Sequence, residues 1–377
     1  MNIGGIEFSI GEPLAGIAAE TIRGSEEGKI QIKGFYSTKH GDNFFHLAEQ
    51  FANIFVYKAL QIKYPKSLIR PDRINHYLVL MKKNGDCTLY VDPPLILQIL
   101  VKESMGKGSP VSKNQIGDIR KVIFDNISIE EDDGIIYFLS DNWRHGIYFN
   151  FRDHRNPIDK VDQDKLETEI AKHYLELAFP QYYRDDEIID NIVKDSWFPF
   201  LSLTGDLFNQ LYMNYQNDLN NFNKDGHILK YFTKDILEAR IKSWSTKDPF
   251  SNHIRFFEEA LDSYMNGKYI ASISTLYPRI EGILRNEFID STSPNIPKLI
   301  SELKKVVSQK VEDFSLFRYH QFLKYLSESF FKDFDHKSGE VDLARHSSAH
   351  GVSEADDHTQ SKALIGFLIA DQLFYYL

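Results

Sequence analysis

The sequence predicts a mainly α-helical chain with an α+β region at its N-terminus and a helical bundle at its C-terminus. Three observations predict this. Strand-like alternations and turn residues concentrate in residues 1–157. Apolar residues recur at helical spacing from about Asp162 onward. The turn-rich stretch Ser245-Thr246-Lys247-Asp248-Pro249 separates a last helical segment, because the residue before a proline disfavours helix. The expected organisation is therefore 1–157 as an α+β domain, 158–248 as a helical connecting region and 249–377 as a helical bundle.

In the first region, Ile30 to Tyr36 reads as a strand. So do His76 to Met81 and Cys87 to Val91, and Asn84-Gly85 between them is a strong hairpin signal. Gly134 to Leu139 and Gly146 to Phe151 suggest a second pair, linked through 140–145 with Trp143-Arg144-His145-Gly146 as its turn. Phe44 to Lys63 carries apolar residues at helical spacing. In the middle region Leu166 to Ala178, Asp185 to Lys194 and Asp206 to Leu219 read as helices, and Gly226 breaks the polar stretch that follows. In the last region helices are expected over Ser251 to Met265, closed by Asn266-Gly267, and over Lys268 to Ile289. Further helices are expected over Ile296 to Val307, Ser315 to Phe331 and Asp342 to Ala349. A buried terminal helix follows, with Asp357 as its N-cap and Gln360 completing a capping box.

The composition narrows the class. The 377 residues are 42% apolar and 26% charged, enough for a sizeable core, with 28 Phe and 20 Tyr to fill it. A net charge of −10 argues against general nucleic-acid affinity but leaves room for a local RNA site. The single cysteine, Cys87, excludes a disulfide framework and a cysteine-rich zinc module, and fits a reducing cytoplasm. No signal peptide and no membrane span are read, and no phosphate-binding loop, dinucleotide fingerprint or Ser/Cys nucleophile motif is found.

The densest polar cluster is Asp342-Leu343-Ala344-Arg345-His346-Ser347-Ser348-Ala349-His350-Gly351. Five helical positions place Arg345 and His350 roughly 140° apart, flanking one face. A histidine at a helix end can exchange a proton near neutral pH, and an arginine can hold a phosphate through two hydrogen bonds. The same residues can simply cap the helix. Asp342, His346 and His350 share a face at four-residue spacing, a rival metal stripe that His336, His358 or Glu354 would have to complete. Glu281 and Arg285 form either an ordinary helix pair, worth about 0.2–0.5 kcal/mol, or a buttress for the active-site helix.

Arg345-His346-Ser347-Ser348-Ala349-His350 resembles the motif of the HEPN superfamily, an Arg and a His separated by four to six residues with a polar residue after the Arg. The context is similar too. Phe256 to Tyr264, Gly267-Lys268-Tyr269 and Ser274 to Arg285 look like the first helical hairpin of these domains, and His350-Gly351 before an apolar terminal helix looks like the abortive-infection members. The resemblance covers about residues 250–377. Val352 stands where a toxin branch has a tyrosine, so modification of such a tyrosine is not implied. The resemblance implies a metal-independent endoribonuclease, a hydrolase without cofactors, acting in phage defence or as a toxin. It further implies a homodimer through the C-terminal domain, with His350 moving protons, Arg345 stabilising charge on the scissile phosphate and His346 in support. The products would carry a 2′,3′-cyclic phosphate and a 5′-hydroxyl. Residues 1–157 would sense a trigger or antitoxin partner, or recognise RNA. A non-catalytic HEPN module that dimerises and binds nucleotide or RNA is the alternative.

A basic stretch is the second candidate. Lys58, Lys63, Lys66, Arg70, Arg73, Lys82 and Lys83 interleave with Tyr57, Tyr64 and Tyr77, a pattern that suits RNA or a nucleotide as well as a solvated helix and hairpin edge.

Overall fold

The computed structural model describes residues 3–9, 31–43, 45–46, 56–57, 59–65, 74–82, 84–102, 105–152, 161–180, 186–203, 205–217, 223–288, 295–332 and 354–377. The described chain forms two compact units. One comprises residues 1–100 with 119–182, the other 101–118 with 183–377.

The first unit is built on a six-stranded antiparallel sheet in the order β1-β4-β3-β7-β8-β2. The strands are β1 (Ile3–Ser9), β2 (Gln31–Lys39), β3 (His76–Met81), β4 (Asp86–Val91), β7 (Gly134–Asp141) and β8 (Arg144–Arg152). Strands β5 (Leu95–Val101) and β6 (Ile116–Phe124) form a separate two-stranded ribbon. The alternation read at 76–91 is a hairpin with Met81 opposite Cys87, as Asn84-Gly85 requires. Gly85 has φ +85°, a conformation glycine adopts without strain. The β7–β8 link is tighter than expected. Asp141 already pairs with Arg144, so only Asn142 and Trp143 turn the chain.

Period-two alternation gives the sheet two buried faces. Val79, Met81, Leu89, Val91, Ile136, Phe138 and Ile147 pack with Val56, Ala59 and Leu60 from the helical residues near 60. On the other face helix α1 (Gln163–Ala178) covers β7 and β8. Its His173 ring stacks on Phe35 at 4.1 Å, and Tyr148 Oη donates to Glu169 Oε2 at 2.9 Å. Each large apolar side chain so buried contributes roughly 1.5–3 kcal/mol.

The second unit is helical: α2 (Asp186–Lys194), α3 (Gly205–Gln216), α4 (Lys224–Tyr231), α5 (Lys234–Trp244), α6 (Ile254–Met265), α7 (Tyr269–Glu287), α8 (Ile296–Ser308), α9 (Tyr319–Tyr325) and α10 (Gln360–Tyr376). Gly226 does not break the chain. It lies in the first turn of α4, where Asn223 Oδ1 accepts its N–H at 2.8 Å. The helix expected from Ser315 begins only at Tyr319, because Arg318 turns the backbone at φ 45° and Ser315 donates to Asp118 at 2.5 Å. Asp357 is not the cap of the terminal helix. Its carboxylate accepts from Glu354 N–H, and Thr359 Oγ1 caps α10 through Lys362 N–H. The expected helix over Asp342 to Ala349 lies outside the described residues.

Helix α10 is buried almost all round, including Asp371 at 2% and Gln372 at 0% exposure. Both polar groups are satisfied. Asp371 accepts from Trp244 Nε1 at 2.8 Å and from Ser202 Oγ. Gln372 accepts from Leu201 N–H at 2.9 Å and donates to Tyr376 Oη, whose own proton goes to Phe317 O. Such paired groups avoid the cost of an orphaned buried polar atom, about 1–3 kcal/mol each. Among the described residues no helix is long and apolar enough to cross a membrane.

Candidate functional site

Helices α6 and α7 form the antiparallel hairpin expected from the sequence, turning at Asn266-Gly267, where Gly267 has φ +71°. Ser272 Oγ on α7 donates to Ala260 O on α6 at 2.8 Å, locking the two together. Helix α10 packs against α7. They approach closely at Gly366, where an added Cβ would sit 2.6 Å from Leu276 Cδ2 and 2.8 Å from Tyr277 Cε1.

Tyr277 is the pivot of this arrangement. Its ring packs on Phe330 at 4.9 Å, in the turn Leu326–Phe330 that extends α9. Its hydroxyl donates to Lys362 O at 2.8 Å, in the first turn of α10. Burial raises the phenol well above its usual range, so it remains a donor across the physiological pH range. Phe330 and Lys362, which flank in sequence the stretch containing Arg345, His346 and His350, thus meet α7 at one level. Glu281 and Arg285 follow Tyr277 at four-residue intervals and share its face. Glu281 is buried at 6% exposure and accepts from Arg285 Nε at 2.5 Å, so the expected pair forms. Arg345, His346, His350 and the metal stripe Asp342–His346–His350 lie outside the described residues. Among the described residues no group of three or more His, Cys, Asp or Glu is placed to hold a metal.

The neighbouring face of α7 carries a second polar group. The His253 ring lies over Gly282, 3.2 Å from where a Cβ would be, and Asn286 Nδ2 sits 3.0 Å from its Nε2. Arg279, one turn earlier, stacks its guanidinium over the Phe256 ring at 4.0 Å. Burial and the Arg279 charge hold the His253 imidazole below its ordinary pKa, so it packs as a neutral ring near pH 7.

The basic stretch is only partly described. Lys63 reaches Gly5 O at 3.3 Å, and Lys82 pairs with Asp133 and Glu130 at 2.8 Å each. Lys58, Lys66, Arg70, Arg73 and Lys83 lie outside the described side chains. Of the interleaved tyrosines, Tyr57 and Tyr64 are exposed, but Tyr77 is a core residue stacked on Phe138 at 5.1 Å. His145 is wedged between Phe45 (4.4 Å) and Phe138 (5.2 Å), a packing position rather than an open catalytic one. The sequence reading missed the pivot role of Tyr277, although the tyrosine stands one helical turn before Glu281.

No family model, no curated protein and no solved structure matches this chain.

Proposed function

We propose that this protein is a metal-independent endoribonuclease of HEPN type, with Arg345 and His350 as its catalytic pair and His346 in support. The observation that carries the reading is the anchoring at Tyr277. Phe330, before the motif in the chain, and Lys362, after it, both meet Tyr277 on the α7 face that carries Glu281 and Arg285. Anchors on one rigid helix on either side of a motif suit groups that must converge on one phosphate. His350 would accept the 2′-hydroxyl proton and return one to the leaving 5′-oxygen, and Arg345 would stabilise charge on the phosphate. One Arg and one His per chain are a thin set, and two copies across a two-fold axis would double it. The sheet unit would recognise RNA or a trigger, in phage defence or toxin action.

The test is incubation of the full-length protein with total RNA in EDTA, beside His350→Ala. Fragments ending in 2′,3′-cyclic phosphate, absent with the variant, support the proposal. Unchanged cleavage by His350→Ala refutes it. RNA binding without any cleavage favours the non-catalytic module.

A further inference from the structure

The chain has three tryptophans, and two of them, Trp197 and Trp244, are buried at 1% exposure. Trp143 is 72% exposed at the tip of the β7–β8 hairpin, the highest value among the exposed large apolar side chains described. An indole left in water at a two-residue turn contributes nothing to the core. The backbone that carries it is held in place. The Trp143 carbonyl accepts from His40 N–H at 2.7 Å, and Asp42 folds the 39–45 loop by accepting from Lys39 N–H (2.9 Å) and Phe45 N–H (3.1 Å). Buried Phe45 anchors that loop by stacking on His145 at 4.4 Å.

The surroundings of the indole are aromatic and polar at once. The exposed His40 ring lies 5.5 Å from it at 55°, and His40 in turn meets the exposed His46 ring at 6.5 Å. Lys39 and Arg144 stand directly opposite each other in the β2–β8 ladder, so their side chains share one face beside the turn. Asp141 is opposite Arg144 on the other side, leaving that row one positive charge in excess.

We propose that this hairpin tip is a stacking platform for the unpaired bases of single-stranded RNA. A base offers a flat π-face to Trp143 and hydrogen-bonding edges to the imidazoles of His40 and His46, while its flanking phosphates meet Lys39 and Arg144. The rings beside Trp143 are imidazoles, whose nitrogens offer the hydrogen-bonding edges that a base can pair with. The loop hydrogen bonds hold the platform before binding, which lowers the ordering cost. The inference deepens the ribonuclease reading by naming where the strand is held, yet binding and cutting are read separately.

Because the other two tryptophans are buried, quenching of tryptophan fluorescence by a stacked base reports on Trp143. The full-length protein is titrated with a 2′-O-methyl oligouridylate of about 12 nucleotides, which lacks the free hydroxyl that cutting would need. Quenching is expected, with weaker binding of uridine monophosphate and of an RNA duplex of the same length. Trp143→Ala should weaken oligonucleotide binding by roughly 5- to 150-fold in a filter or anisotropy assay, and Trp143→Phe by less. The melting temperature should not move, given the exposure of the side chain. The inference is overturned by wild-type affinity in Trp143→Ala, by absence of quenching, or by a mononucleotide or duplex binding as tightly as the single strand. Binding that depends on Trp143 without cleavage of unmodified RNA would leave the platform standing and remove the nuclease assignment.

Discussion

Gly366→Ala tests whether the contact between α7 and α10 is as close as described. In an exposed helix interior this change stabilises by about 1 kcal/mol through helix propensity. Here the new methyl would lie 2.6 Å from Leu276 Cδ2 and 2.8 Å from Tyr277 Cε1. Carbon atoms in ordinary contact are about 3.5–4.0 Å apart, so each overlap approaches ~1 Å. Leu276 is 0% and Tyr277 2% exposed, and neither can swing into water. Overpacking of this kind costs about 1–3 kcal/mol, and two simultaneous overlaps place it near the upper end. The net expectation is a loss of about 1–2 kcal/mol, or roughly 2–8 °C in melting temperature for a unit of this size. Circular dichroism melts and urea titrations give the value. Placed in a Leu276→Ala background, the same glycine change should cost less, because the nearer clash is gone and only the Tyr277 contact remains. A Gly366→Ala protein as stable as its parent would show that the helices are further apart than the contact requires.

Three further outcomes are expected. Asp371→Ala should cost about 3–5 kcal/mol in unfolding titrations, since it strands the buried Trp244 N–H and removes the carboxylate facing Arg240 at 3.9 Å; a loss under about 1 kcal/mol would mean the network is not formed. Lys102 is pushed down to about 8 by burial and by the Arg240 guanidinium, so the unfolded chain binds its proton more tightly. Its contribution to stability is therefore present above the unfolded lysine pKa and lost as pH falls through about 8; the wild-type melting temperature should rise more from pH 8 to 10 than that of Lys102→Met, and equal slopes would contradict this. Arg345→Ala should lower RNA cleavage by about 10²–10³-fold and His350→Ala by about 10²–10⁴-fold, with little change in melting. Loss of the wild-type cleavage in EDTA, restored by zinc, would instead promote the Asp342–His346–His350 stripe.

Local chemistry made much of the fold readable. Asn84-Gly85 between alternating runs marked the β3–β4 hairpin, and Asn266-Gly267 marked the α6–α7 turn. Elements without periodicity were not readable. Leu95 to Val101 is an almost unbroken apolar run, and Ile3-Gly4-Gly5-Ile6 has two glycines and a register shift, so neither alternates as a strand should. Helix α4 hid behind polar residues because its support is tertiary. Asp225 accepts from Trp197 Nε1 at 3.0 Å and from Ser361 Oγ, partners 28 and 136 residues away. The candidate site divides the same way. The Arg345–His350 spacing is a short-range signal. The Tyr277 anchor joins residues 53 and 85 positions away, and no window of sequence reveals it.

The assignment of residues 101–118 to the second unit bears on how the chain is made. The Lys102 ammonium donates to Leu203 O at 3.2 Å, and Lys102 O accepts from Arg240 and from Tyr375 Oη. Asp118 accepts from Ser315 Oγ. A ribosome releases this stretch before any of those partners exists, so these particular contacts form only as residues 203, 240, 315 and 375 are synthesised. The helical unit cannot be finished as a late, autonomous addition. A fragment beginning at residue 183 would leave Arg240, Tyr375 and Ser315 without the acceptors that the earlier segment supplies.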